Sequence, residues 1–275
     1  MREAGRHMDG LSLHYYVVPG SSWADKGSAT EFTVQEWFTT LQKAIRIDEV
    51  LTRHSTVMDK YDPEKRVGII LDEWGTWFNV EPGTNPGFLY QQNTLRDALV
   101  ASTTFDIMHR HCERLHMANI AQTVNVLQAM VLTEGEKMVL TPTYHVFEMY
   151  KVHQDAALLD LHLKSEAYEL EGQAIPQISS TASKKSDGTI HISLSNLSHD
   201  KEARVSVELR GGKGIGAISG RILTSSEQNA YNHFDNPHAV KPEPFTEFEA
   251  KEGILTAALP PMSVVVLELK NGGQG

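Results

Sequence analysis

The sequence predicts an α/β unit followed by an all-β unit, and three observations carry that expectation. In the first half, short apolar segments alternate with helical patterns, which implies βαβ crossovers and a parallel sheet. One of those segments, Val67-Gly-Ile-Ile-Leu71, is a continuous apolar run, which suits a parallel strand covered on both faces. In the second half the hydrophobic period changes to two, in short stretches divided by Gly, Pro and Asn clusters, the pattern of a β-sandwich. A length of 275 residues fits one (β/α)8 barrel of about 250 residues or two smaller domains. The period change places a boundary near Val152 to Ala156, dividing the chain into 1–153 and 154–275.

The elements are expected in this order. Leu11-Ser-Leu-His-Tyr-Tyr16 alternates as a strand, and Thr33-Val-Gln-Glu36 is a capping box that opens a helix, with Phe32 and Trp37 placed as its hydrophobic staple. Trp37, Phe38, Leu41, Ala44, Ile45 and Leu51 recur at helical spacing, and Asp62-Pro63 ends the crossover. The strand at Val67–Leu71 turns polar at Asp72-Glu73, and a loop holding Pro82-Gly83 and Pro86-Gly87 leads to a helical pattern over Leu89 to Leu115. A third strand is expected over Ala118 to Val124 and a last helix over Thr143 to Val152. In the second half, Asp187-Gly188 signals a hairpin turn before Ile190, Ile192 and Leu194. Val205, Val207 and Leu209 repeat the alternation, as do Val264, Val266 and Leu269 with one slip.

Composition narrows the function classes. With 40% hydrophobic and 22% charged residues the chain has the makeup of a soluble globular protein. A net charge of -10 without a long basic run argues against nucleic acid or an anionic membrane as partner. Met1 to Gly10 carries no apolar stretch of a signal peptide, and no window approaches the roughly 20 apolar residues of a membrane helix. Cys112 is the single cysteine, so a reducing, cytoplasmic setting is the expectation, and the Asn196-Leu-Ser198 sequon reads as chance.

In parallel α/β barrels the chemistry lies at the C-terminal ends of the strands. Strand period places Val67, Ile69, Leu71 and Glu73 on one face, Ser12, His14 and Tyr16 on one face of the first strand, and Ala118, Ile120 and Gln122 on one face of the third. Tyr15 points the other way. Glu73, His14, Tyr16 and Gln122 at one end of a sheet, with Trp74, Trp77 and Phe78 beside them, suit a sugar: hydroxyls need hydrogen-bonding groups, and aromatic faces accept C–H faces of sugar rings. A carboxylate there is placed to attack an anomeric carbon; the alternative is a charged residue capping the strand or pairing with an Arg at the rim. His14 also reads as a satisfied core histidine.

Leu-Ser-Leu-His14-Tyr-Tyr16, then Ile-Leu-Asp-Glu73-Trp-Gly-Thr-Trp77, then Ala-Asn-Ile-Ala-Gln122-Thr-Val-Asn-Val, in that order and spacing, resembles the α-L-arabinofuranosidases of glycoside hydrolase family 51. The tail Leu-Pro-Pro-Met-Ser-Val-Val-Val-Leu267 resembles that family's last sandwich strand. The resemblance implies a retaining glycosidase, a (β/α)8 barrel followed by a jelly-roll-like sandwich, with Glu73 as nucleophile. It implies that His14 and Tyr16 surround the nucleophile and the furanose, that Trp77 walls a subsite, and that Gln122 contacts a sugar hydroxyl. The substrate would be a terminal α-L-arabinofuranosyl group of an arabinose-containing oligosaccharide or polysaccharide such as arabinan or arabinoxylan, with no metal or organic cofactor. A homo-oligomer is open for the full-length form.

The family's general acid/base is the Glu of an Asn-Glu pair, and no Asn-Glu dipeptide occurs here. Only three βα units precede the sandwich, matching the sixth to eighth of the barrel. The chain is therefore expected to be the C-terminal portion of a longer enzyme, with Met1 an internal methionine, and to be inactive or nearly so alone. The rival readings are another retaining glycosidase of the same clan, a β-glucanase or β-xylosidase, and a noncatalytic carbohydrate-binding or assembly module.

Three further features are set aside. His109, Cys112, Glu113 and His116 fall on one side of the expected helix and could bind zinc, but a surface helix face with a partly buried cysteine explains them more simply. Lys184-Lys185 beside Asp187-Gly188 reads as a solvated turn, and Gly211-Gly-Lys-Gly214 lacks P-loop spacing.

Overall fold

The computed structural model describes residues 1–211 and 215–271; the Gly211–Gly214 run lies, beyond Gly211, outside the described residues. The first part runs β1 (Gly10–Val17), α1 (Val34–Ile45), α2 (Ile47–Asp59), β2 (Gly68–Thr76), α3 (Leu95–Arg110) and β3 (Leu115–Ile120). A hairpin of β4 (Val131–Glu134) and β5 (Lys137–Leu140) and the helix α4 (Pro142–Tyr150) follow. The order β1-β2-β3, with both pairings parallel, is that of two βα crossovers, as the alternating pattern predicts.

The remaining elements are strands: β6 (Ala157–Leu158), β7 (Ala167–Leu170), β8 (Gln173–Pro176), β9 (Ile178–Lys184), β10 (Ile190–Asn196) and β11 (Ala203–Glu208), then β12 (Ile215–Leu223), β13 (Glu243–Pro244), β14 (Phe248–Lys251), β15 (Ile254–Leu259) and β16 (Ser263–Asn271). A six-stranded sheet in the order β13-β12-β16-β10-β9-β6 faces a three-stranded sheet β11-β15-β14. Ile192, Leu194, Leu255, Leu259, Val265 and Leu267 fill the space between, so this half is a β-sandwich. The β9–β10 hairpin turns at Asp187-Gly188, where Gly188 adopts φ 89° and Asp187 accepts from Thr189 N–H at 2.9 Å.

Helices α1, α3 and α4 fill the layer between the parallel sheet and the outer face of the six-stranded sheet. Their apolar cluster is continuous across both halves, joining Trp37, Leu41, Ile69, Leu71, Trp74, Leu99 and Val146 to Tyr168, Leu197, Val264 and Val266. Trp37 Nε1–H donates to Leu197 O at 3.0 Å, tying α1 to the sandwich.

Local chemistry sets the helix limits. Thr33 caps α1, with Glu36 N–H donating to Thr33 Oγ1 and Thr33 N–H to Glu36 Oε2. Phe32 packs against the cluster that holds Trp37, and also lies beneath the Arg96 guanidinium. The expected single helix through Leu51 is two, α1 and α2, which meet at Arg46. The expected helix over Leu89 to Leu115 is shorter at both ends: a Thr94/Asp97 capping box starts α3, and the chain leaves it at His111 to form β3. Almost every α3 side chain is buried, because the helix is covered by the sheet on one side and the sandwich on the other. The third strand ends at Ile120 rather than Val124, and the β4–β5 hairpin beyond it was not anticipated. Among the described residues no helix is long and apolar enough to cross a membrane.

Candidate active site

Strand period correctly separates Ser12, His14 and Tyr16 from Tyr15, whose phenol reaches back to Lys43 O of α1. It fails on β2. Ser12 pairs with Ile70, but His14 pairs with Glu73, so β2 spends three residues where β1 spends two. This bulge breaks the expected common face of Val67, Ile69, Leu71 and Glu73. Ile69 and Leu71 face the helices together with Trp74, whereas Glu73 turns to the opposite, open face. Ala118 and Ile120 also pack on the helix side. Asp72 shares the open face of Ile70 by strand period, so with Glu73 moved there by the extra residue two consecutive carboxylates stand beside β1.

On that face Tyr16 donates its phenol O–H to Glu73 Oε2 at 2.7 Å, and His14 Nδ1 lies 3.5 Å from the same oxygen. His14 Nε2 is 3.1 Å from Asp72 Oδ1, and Ser12 Oγ lies 2.9 and 3.0 Å from the two Asp72 oxygens. The His14, Asp72 and Glu73 side chains are 49, 38 and 44% exposed, so a ligand on this face can reach all three. Burial, then the hydrogen bond and charge of Glu73, push the Tyr16 phenol well above its ordinary 10, so it stays a donor. Ser12's hydrogen bond, with His14 adding, holds Asp72 below the usual carboxylate range.

Aromatic rings extend the site outward. Trp77 meets Tyr16 edge-on at 5.0 Å, and Trp23 meets Trp77 edge-on at 5.4 Å. Trp77 is fixed because its N–H donates to Val17 O at 3.0 Å, and Asn79 N–H donates to Gly27 O, zipping the two strand exits together. Trp23 is 62% exposed and sits in a Gly/Ser loop with no periodic signal, which is why sequence reasoning missed it. Trp74 and Phe78, expected beside the sugar, are buried: Trp74 stacks on Phe147 in the helix layer, and Phe78 packs under Arg96.

Gln122 stands apart. It is exposed, one residue beyond Ala121, whose N–H donates to Trp74 O, and among the described residues no hydrogen bond joins it to Glu73, His14 or Tyr16. Beneath the site lies a buried polar frame. Thr76 N–H donates to Gln128 Oε1 at 2.8 Å, Gln128 Nε2–H to Asp97 O and Thr143 Oγ1, and Phe78 N–H to Gln91 Oε1. The zinc alternative fails on geometry: His109 meets Thr181 Oγ1, Glu113 pairs with Lys65, and Cys112, expected to be partly buried, is exposed beyond the helix end. Among the described residues no group of three or more ligating side chains is assembled.

The family profile described as "Alpha-L-arabinofuranosidase C-terminal domain" matches residues 72–263. An intracellular exo-α-L-arabinofuranosidase of Bacteroides ovatus is 51% identical over 271 residues, covering 98% of this chain and 52% of that protein. The crystal structure of the GH51 arabinofuranosidase from Xanthomonas axonopodis pv. citri superimposes with a TM-score of 0.95 at 49% identity, over 98% of this chain and 54% of that one. An α-L-arabinofuranosidase from Thermotoga maritima, crystallised as an arabinose complex, shares the fold with a TM-score of 0.77 at 23% identity, over 94% of this chain and 52% of that one. The chain spans about half the length of the curated relatives it matches.

Proposed function

The chain belongs to the α-L-arabinofuranosidases of glycoside hydrolase family 51, whose C-terminal portion it represents, and from that premise we propose that it carries the nucleophile half of a retaining arabinofuranosidase site. The observation that carries this reading is the shared clamp on Glu73: Tyr16 and His14 both address Oε2. Oε1 is then the oxygen free to attack. In the first step Oε1 bonds to the anomeric carbon of a terminal arabinofuranosyl group while the glycosidic C–O bond breaks and the leaving oxygen takes a proton from a general acid. In the second, the ionised acid/base takes a proton from water as the water oxygen attacks that carbon, and the bond to Glu73 Oε1 breaks, releasing arabinose and the free carboxylate. Trp77 and Trp23 offer ring edges and faces along the sugar's approach, and Gln122 serves a hydroxyl once a ligand spans the two strand exits.

The general acid must come from outside this chain. Asp72 is the carboxyl nearest in sequence and held on the same face, and Ser12's hydrogen bond keeps it ionised when a protonated acid is required. We read β1, β2 and β3 as strands six to eight of a (β/α)8 barrel, residues 1–153, with residues 154–275 as the sandwich. The support is a parallel sheet layered by helices on one face only, and relatives about twice as long. The substrate class is arabinose-containing oligosaccharides or polysaccharides. An intracellular setting is inferred from the name of the Bacteroides ovatus relative.

The test is hydrolysis of an aryl α-L-arabinofuranoside by the enzyme that carries this chain. Glu73→Ala is expected to lower kcat at least about 10³-fold, with azide restoring turnover by replacing the missing carboxylate and giving the glycosyl azide of inverted configuration. The isolated chain is expected to show no turnover. Full activity in Glu73→Ala, or hydrolysis by the chain alone that Glu73→Ala abolishes, would refute one or the other half of this proposal.

A further inference from the structure

Asp72 has no role in the chemistry just described, yet the bulge in β2 turns Glu73 onto the face that Asp72 already shares with Ile70. In a regular strand consecutive side chains point to opposite faces, so Asp72 would enter the helix layer when Glu73 faced the substrate. The extra residue between Ile70 and Glu73 instead sets both carboxylates on the open face, one against each ring nitrogen of His14. Ser12, two residues before His14 and on the same face, donates to Asp72 and fixes its carboxylate plane. The result is a chain of contacts, Ser12 to Asp72 to His14 to Glu73, that ends on the proposed nucleophile.

We propose that Asp72 is a positioning residue that accepts the Nε2–H of His14 and so sets which ring nitrogen faces Glu73. This inference rests on the reading of Glu73 as nucleophile for its catalytic meaning, but not for its geometry. An ionised carboxylate is acceptor-only, so Asp72, 3.1 Å from Nε2, favours the neutral tautomer with its proton on Nε2 and a bare Nδ1, which lies 3.5 Å from Glu73 Oε2. In that tautomer Tyr16 is the donor on Oε2. The imidazole is neither a core histidine nor a free surface one; Asp72 selects its tautomer, as an outer carboxylate does for metal-bound histidines.

The tautomer can be read directly. Long-range ¹H–¹⁵N spectra of the histidine-labelled chain, with His14 assigned by its loss in His14→Gln, are expected to show a protonated Nε2 and an unprotonated Nδ1 at alkaline pH. Asp72→Ala is expected to convert His14 to a mixture of tautomers, while Ser12→Ala leaves it on Nε2. A wild-type His14 protonated on Nδ1 overturns the inference without any variant being needed, and so does an unchanged His14 spectrum in folded Asp72→Ala. In the enzyme that carries this chain, Asp72→Ala is expected to lower kcat roughly 10- to 100-fold, the range for outer partners of metal-bound histidines, with KM within about twofold. A raised KM at unchanged kcat overturns it. Activity surviving in Glu73→Ala would defeat the nucleophile reading while leaving the tautomer result standing, so the two failures are distinguishable.

Discussion

Asp106 is a fully buried carboxyl that the proposed chemistry does not use, and replacing it with Asn should reshape the pH dependence of stability. It lies on α3 against the sandwich, 0% exposed, where Tyr150 O–H donates to Oδ1 at 3.0 Å and Ser179 O–H to Oδ2 at 2.6 Å. Arg110, one turn further along α3, is the charge that acts on it, and the neighbouring His109 is turned toward Thr181. Desolvation pushes the Asp106 carboxyl from its ordinary 3.8 up to about 7, against the smaller opposing effects of Ser179, Tyr150 and Arg110. Because the folded-state value is raised, the folded chain binds the proton more tightly than the unfolded chain. The stabilisation is complete below 3.8 and is lost as pH rises through about 7. At 1.36 kcal/mol per pH unit that window amounts to up to about 4 kcal/mol.

His109, His145 and His153 act in the opposite sense. Burial lowers them to about 4, 4 and 3, so the stability they contribute is present above 6.5 and is lost as pH falls through those values. The wild-type curve alone therefore hides Asp106, and the difference between variant and wild type isolates it. Urea unfolding followed by tryptophan fluorescence should show Asp106→Asn gaining on wild type by about 1.4 kcal/mol per pH unit between roughly pH 4 and 7, then levelling. A difference that does not vary with pH, or one that shrinks as pH rises, would refute the reasoning.

Three further outcomes are expected. Tyr16→Phe removes the O–H held on Glu73 Oε2 and should lower kcat/KM by roughly 10²-fold in the enzyme that carries this chain, with thermal stability nearly unchanged. Trp37→Phe leaves the buried Leu197 carbonyl without its 3.0 Å partner and should cost about 1–3 kcal/mol in urea unfolding. Gly75 sits at φ 143°, and a Cβ there would lie 3.1 Å from Gln128 Oε1, so Gly75→Ala should cost about 1–3 kcal/mol and show as a lower melting temperature.

Local signals were legible in the sequence where the deciding interactions are themselves local. The Thr33/Glu36 capping box, the Asp187-Gly188 turn and the alternation in β10 each depend on neighbours within a few residues, and all are in place. The helix is expected from Leu89 but begins only after Thr94, because Gln91 and Asn93 bond to loop backbone and Leu89 O accepts from Leu127 N–H. The Thr94/Asp97 box was available as a signal and outweighs that expectation. Trp74 and Phe78 were misplaced because an aromatic next to a carboxylate suggests a sugar platform, whereas their burial is set by Phe105, Phe147 and Arg96, which are remote in sequence.

The bulge in β2 is the instructive case, since it changes the site without changing a single motif. It shows only as a shift of register against β1 and β3, across the sheet, and the sequence of β2 alone carries only the faint cue of two acidic residues ending an apolar run. A count of two places Glu73 with Leu71 and would bury a carboxylate in the helix layer that holds Leu99 and Val146, at a cost of several kcal/mol without a partner. The bulge removes that cost and lets one strand serve two opposed surfaces: Leu71 and Trp74 anchor it to the helices while Asp72 and Glu73 face out between them. The buried Thr76–Gln128–Asp97 frame closes directly beyond, holding the strand end so that the exposed carboxylates keep their positions. A site that is half-open on one side and rigidly satisfied on the other has its carboxylates pre-organised by the chain's own contacts.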